Sequence, residues 1–73
     1  MNLKWEEEGG DYFAYHGEIM VEAFRVLCGG WRCWVNDGDV RVAYVGKPLR
    51  SAKRAKAMAE EQLRWYLKGK DNA

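Results

Sequence analysis

The sequence predicts an α+β domain, a two-layer antiparallel β-meander of four to five strands packed on one C-terminal α-helix. Turn signals recur at short intervals, at Gly9-Gly10, His16-Gly17, Gly29-Gly30 and Asp37-Gly38. Gly and Asp-Gly supply the positive φ that tight hairpin turns require. The runs between them are rich in Val, Ile, Phe, Tyr and Trp, residues that fit a pleated, half-buried surface. Beyond Pro48 the pattern changes, and Ala52 to Lys68 holds strong helix formers with no Gly or Pro.

The strands are expected near Leu3–Glu7, Tyr12–Tyr15, Ile19–Leu27, Trp31–Asn36 and Val40–Val45. A two-residue turn at Gly9-Gly10 pairs Trp5 with Ala14 and Glu6 with Phe13, and leaves open which face that hairpin buries. A two-residue turn at Asp37-Gly38 pairs Val35 with Val40, Trp34 with Arg41 and Cys33 with Val42. A turn at Gly29-Gly30 pairs Cys28 with Trp31, Val26 with Cys33, Arg25 with Trp34 and Phe24 with Val35. Side chains alternate along a strand. One face then holds Phe24, Val26, Cys28, Trp31, Cys33, Val35, Val40, Val42 and Tyr44, and the other holds Arg25, Leu27, Arg32, Trp34, Arg41 and Ala43. This register turns Glu22 inward, which argues for a bulge or strand end there.

Ser51 is placed to cap the helix. Ala52, Ala55, Ala59, Gln62, Leu63 and Tyr66 share one stripe, flanked by Met58 and Leu67. Gly69 is expected to end the helix. The organisation is one domain, with residues 1–48 as the meander, 51–68 as the helix and 69–73 as a frayed tail.

With 73 residues, 48% hydrophobic and 32% charged, the chain has room for a single core. No apolar run approaches the roughly 20 residues of a membrane span. The acidic start, MNLKWEEE, is not expected to be a secretory signal. A cytoplasmic, reducing location with both thiols free is the expectation. The net charge of +1 conceals an asymmetry. Met1 to Phe24 has one basic residue against six acidic ones, whereas Arg25 to Lys56 has eight basic against two acidic. Either the two regions neutralise each other or they form faces of opposite sign for different partners.

Little points to catalysis. His16 is the one His and sits in a turn, and Ser51, the one Ser, is committed to capping. A Cys28–His16 nucleophile pair has no local signature to support it. Two Cys and one His cannot complete a four-ligand zinc site. Neither Glu6-Glu7-Glu8 nor Glu60-Glu61 has the spacing of a cation-binding loop. No enzyme activity, cofactor or metal is expected.

Two binding surfaces are. Lys47, Arg50, Lys53, Arg54 and Lys56 crowd the helix start, where the macrodipole is already positive. That placement suits a phosphate or an acidic partner. The second surface is the outer sheet face, where Arg25, Arg32, Trp34 and Arg41 combine Trp with Arg. The combination is common at protein-interface hot spots and on single-strand stacking platforms. It is also the composition of an intramolecular cation–π cluster.

The segment Ser51 to Leu63, following three strands, resembles the C-terminal half of a double-stranded-RNA-binding domain. The resemblance implies that Lys53, Arg54 and Lys56 contact phosphates. Ala52 stands where that family has its first Lys, and an acidic hairpin replaces its N-terminal helix. Over most of its length the chain resembles small proteins encoded by phages and other mobile elements. The resemblance is carried by the Gly-punctuated meander, by Gly29-Gly30-Trp31-Arg32-Cys33-Trp34-Val35 and by the Ala/Lys/Glu helix that starts at Ser51. It implies an anti-CRISPR-like inhibitor that occupies a surface of a host defence complex, such as a nuclease effector, in the bacterial cytoplasm. It transfers no individual residue. A nucleic-acid-binding module and a homodimer formed through the outer sheet face are the alternatives.

Overall fold

The computed structural model describes residues 3–27 and 29–71. Its elements run β1 (Glu6–Glu8), β2 (Asp11–His16), β3 (Ile19–Arg25), β4 (Trp31–Asp37), β5 (Val40–Leu49) and α1 (Ala52–Asp71). The five strands form one antiparallel sheet in sequence order. The helix lies across β3, β4 and β5. This is the α+β meander-and-helix architecture that the turn spacing predicts.

Turn chemistry sets the connections. Gly9 and Gly10 both have positive φ, at 61° and 91°, and the first hairpin pairs Glu6 with Phe13, the register read from the sequence. The next turn is Gly17-Glu18, between His16 and Ile19. The β4–β5 turn is Gly38-Asp39 rather than Asp37-Gly38, because Asp37 pairs with Val40. Gly38 has φ 62° and Asp39 does not have positive φ, the pattern of a hairpin turn with Gly at its first central position. A bulge at Val42 shifts the ladder again, so that Val35 pairs with Ala43 and Trp34 with Tyr44.

The largest departure lies between β3 and β4. Arg25 pairs with Trp31, so residues 26–30 form a five-residue connection instead of a two-residue turn at Gly29-Gly30. Within it Gly29 N–H donates to the Val26 carbonyl at 3.0 Å, and Val26 N–H to the Gly30 carbonyl at 3.2 Å. The register moves by three, an odd number, and an odd shift turns every β3 side chain to the other face. Phe24 therefore leaves the expected inner set, and Glu22 points outward with no bulge in β3. Val26 and Leu27 fall in the loop, and Leu27 is fully exposed. The expected Cys28–Trp31 pair lies outside the described residues.

Ala14, Ile19, Val21, Ala23, Cys33, Val35, Ala55, Ala59 and Leu63 are buried. The three buried helix residues are on the stripe read from the sequence. Met58, Tyr66 and Leu67 pack at its margin, and Leu3 and Trp5 close the core on the β1 side. The helix follows its cap: Arg54 N–H donates to Ser51 Oγ at 3.2 Å. It continues past Gly69 to Asp71, so residues 69–71 are helical rather than a frayed tail. A clasp explains part of this extension. Asp37, at the end of β4, accepts hydrogen bonds from the Tyr66 hydroxyl and from Lys70 Nζ at 3.2 Å.

Candidate functional site

One helix covers one face of the sheet. The other face carries Phe13 and Tyr15 from β2, Met20, Glu22 and Phe24 from β3, Arg32, Trp34 and Asn36 from β4, and Arg41 and Tyr44 from β5, as the strand registers require. Such a concentration of aromatic and Arg side chains on a sheet face the helix does not cover has the composition found at protein interfaces.

Trp34 is its centre. Phe24 stacks at a tilt against the indole, with ring centroids 4.3 Å apart, and Tyr44 approaches from β5 at 6.0 Å. The Arg41 guanidinium lies 3.7 Å from the Trp34 ring centroid. Trp34 Nε1–H donates to Glu22 Oε1 at 2.7 Å. Arg41 Nε–H also donates to Asn36 Oδ1 at 3.3 Å. These contacts hold Trp34 in one orientation, so little side-chain entropy remains to be lost on binding. Tyr44 lies across Gly46, where a Cβ would come within 2.9 Å of its ring. Its hydroxyl accepts from Arg32 Nη1 at 3.1 Å, and it remains 49% exposed. The buried Nε of Arg32 has no hydrogen-bond partner. Tyr15, 57% exposed, meets Phe13 edge-on at 6.1 Å.

Of the residues the sequence proposes for this face, Arg32, Trp34 and Arg41 come together. Arg25 does not: it pairs with Trp31 at the end of β3, on the opposite side of the sheet from Trp34. The expected row of Arg25, Trp34 and Arg41 is replaced by Glu22, Trp34 and Tyr44, with Arg41 folded over the indole. Ala43 turns toward the core and Leu27 leaves the sheet. Phe24 and Tyr44, assigned inward from the sequence, belong to this open face. Phe13, Tyr15 and Met20 were not proposed for it.

The basic cluster divides. Lys47, Arg50, Lys53 and Arg54 are exposed around the helix start, and the first helical turn has no acidic residue. Lys56 is different. Its Nζ lies 3.7 Å from the Tyr12 ring centroid and 5.9 Å from that of Trp5. It is occupied within the fold, while Glu7 beside Tyr12 pushes that phenol above its usual pKa.

Cys33 is a free thiol buried in the core, and burial pushes its pKa up to about 11. A thiol so protonated is a poor nucleophile at neutral pH. Among the described residues no group of three or more His, Cys, Asp or Glu side chains could hold a metal ion. No helix among them is long and apolar enough to cross a membrane. Comparison with protein-family models, curated proteins and solved structures finds no match to this chain.

Proposed function

We propose that this protein is a non-catalytic binding module that docks a protein partner through its open sheet face. The observation that carries this reading is the orientation of Trp34. It stands on an uncovered surface, packed by Phe24 and Arg41 and tied to Glu22, among exposed aromatic side chains. Protein interfaces concentrate Trp, Tyr and Arg in this way.

A protein fits this face better than a single strand of nucleic acid does. The Arg41 guanidinium already lies over the Trp34 ring, so a base would have to displace it to stack there. Glu22 on the same face repels phosphate. The exposed Lys47, Arg50, Lys53 and Arg54 favour a second reading, phosphate binding at the helix start, and that reading predicts steep salt dependence. The resemblance to phage-encoded proteins gives the docking reading a narrower form, blockade of a host defence complex in a bacterial cell. Restored phage growth in a CRISPR-immune strain expressing the protein tests that form.

The docking reading itself is tested by capture from nuclease-treated bacterial lysate on immobilised protein. Wild type should retain a partner that Trp34→Ala and Tyr44→Ala both lose, with melting profiles showing each variant folded. Retention that disappears on nuclease treatment, or that survives both substitutions, would overturn the reading.

A further inference from the structure

We propose that a second copy of this chain covers the open face, in a two-fold arrangement whose axis runs parallel to the strands and sets β1 of each copy over β5 of the other. The inference rests on the docking reading in one respect: both use the same face.

Charge is the argument. Along the sheet order, acidic side chains stand at one edge of this face and basic ones at the other. The register puts Glu6 and Glu8 of β1 on the same side as Phe13, and both are exposed. Arg32 and Arg41 are the cationic residues of β4 and β5 on this face. Among the described residues the one salt bridge is Lys70 with Asp37, so neither edge is neutralised by an ion pair of its own. Nor do these charges neutralise each other within one sheet. Arg32 stands on β4 and the Arg41 guanidinium lies over Trp34 of the same strand, three strand spacings or about 14 Å from β1, against a screening length of roughly 8 Å at physiological salt.

Stacking two copies face to face removes that separation, and symmetry leaves two choices of axis. An axis across the strands would set β1 over β1 and β5 over β5, like charge on like. An axis along the strands exchanges the edges, so that Glu6 and Glu8 of each copy approach Arg32 and Arg41 of the other. Phe13, Phe24, Trp34 and Tyr44 from both copies then fill the middle layer. Two like-charge meetings remain. Glu22 meets its counterpart near the axis, and its hydrogen bond to Trp34 draws the carboxylate aside toward β4. Lys4, exposed two residues before Glu6, comes level with Arg41, whose guanidinium is drawn away over Trp34.

The size of the face sets the strength. β1 has three residues, β2 to β4 six or seven each and β5 ten; at about 4.8 Å per strand and about 3.4 Å per residue they span roughly 500 Å². Two such faces bury an area close to the roughly 1,000 Å² that separates specific interfaces from incidental ones. A reversible dimer that a tighter heterologous partner can displace follows from that area.

Sedimentation equilibrium on the whole chain, from micromolar to near-millimolar concentration, tests the proposal. Wild type should dimerise reversibly and more weakly as salt rises. Glu6→Lys with Glu8→Lys should weaken the dimer at least tenfold, and so should Arg32→Glu with Arg41→Glu. Mixing the two variants should restore a mixed dimer, because each reversed edge then faces an edge of opposite sign. Exposed Glu6 and Glu8 leave the fold intact when changed, so the test survives even if the arginine variant fails to fold: the β1 variant alone must be monomeric. A wild-type chain that stays monomeric at every concentration would overturn the proposal. So would a β1 variant that dimerises like wild type, or two folded variants that fail to associate. If the chain is monomeric and Tyr44→Ala still loses a captured partner, the dimer is wrong and the docking face stands.

Discussion

The two faces of this sheet are built from different residues. The helix side is built from small and aliphatic side chains: Ala14, Val21, Ala23, Cys33 and Val35 meet Ala55, Ala59 and Leu63. Three alanines on the helix stripe let its backbone approach the strands closely. The open side has large, half-exposed aromatics with charged partners. A face intended only for water would carry polar residues in alternation with the core positions. Here Phe24, Trp34 and Tyr44 alternate with the core instead, and hydrogen bonds and cation–π contacts hold two of them in place. The buried core lies on one side, and the half-exposed aromatics on the other.

Leu63→Ala should sharpen that division most. Leu63 is fully buried at the centre of the helix–sheet contact, and truncation there leaves a cavity that close-packed neighbours cannot fill. The expected loss is about 2–5 kcal/mol of folding stability, measured by denaturant unfolding. In a chain this short that is a large share of the total. A loss under about 1 kcal/mol would mean that the helix is not docked as described.

Trp34→Ala should show the opposite balance. Loss of the Phe24 contact should cost the fold about 0.5–1.5 kcal/mol. Affinity for a partner on the open face should fall by about 2–4 kcal/mol, read by calorimetry or surface binding. If the folding loss exceeds the binding loss, Trp34 is part of the core and the contrast between the faces fails.

Most of the fold was legible from the sequence, and the errors have a common source. The number and order of the strands, the first-hairpin register, the Ser51 cap and the helix stripe follow from turn residues and periodicity, which are local signals; the bounds of β1 and β5 do not, since β1 is Glu6–Glu8 rather than Leu3–Glu7 and β5 runs on to Leu49 rather than ending at Val45. The β3 register depends on the length of one loop. Gly29-Gly30 looks like a two-residue hairpin turn, yet the connection spans residues 26–30, and the odd shift exchanged the β3 faces. A warning was present: the assumed register buried Glu22, while turning β3 over puts Ile19, Val21 and Ala23 inward and leaves Glu22 free to meet the Trp34 N–H. The bulge at Val42 had no comparable warning and placed Tyr44 on the open face. The Trp34–Arg41 association survived, because Arg41 precedes that bulge.

The Asp37 clasp joins the β4–β5 turn to the end of the helix, and its contribution should depend on pH. Hydrogen bonds from Tyr66 and Lys70 hold the Asp37 carboxyl below its ordinary value near 3.8. Its contribution is therefore full above about 3.8 and lost as pH falls through the lower folded value. Asp37 raises the pKa of Tyr66 and of Lys70, so their contribution persists below their unfolded values and is lost as pH rises through the folded ones. The stability difference between wild type and Asp37→Asn should thus be greatest near neutrality and shrink at both extremes. A difference independent of pH would show that the clasp does not operate in solution.

Cys33 gives a smaller reading of the same core. With its pKa pushed up to about 11 by burial, its thiol should resist labelling at neutral pH until the chain unfolds. Mass spectrometry of the labelled peptide isolates this site from Cys28. Rapid native labelling at Cys33 would mean that the helix side opens more readily than its packing indicates.

The smallest expected effect is a gain. Ser51 caps the helix by accepting from Arg54 N–H, so Arg54 occupies the position where a Glu would complete a reciprocal capping box. The first turn instead carries Lys53 and Arg54 with no acidic residue, and cations at a positive helix end are unfavourable. Arg54→Glu should therefore stabilise the fold by about 0.3–1 kcal/mol at low salt, with less gain as salt screens the dipole. Lys53→Glu should act in the same direction. Lys56 is best left alone, because its ammonium packs over Tyr12 and changing it would disturb the fold as well as the charge. A more stable Arg54→Glu variant that keeps its partner would show that the basic helix start is dispensable and that binding belongs to the sheet. If the variant is stabilised but binding collapses and the salt dependence flattens, the helix start is the working surface.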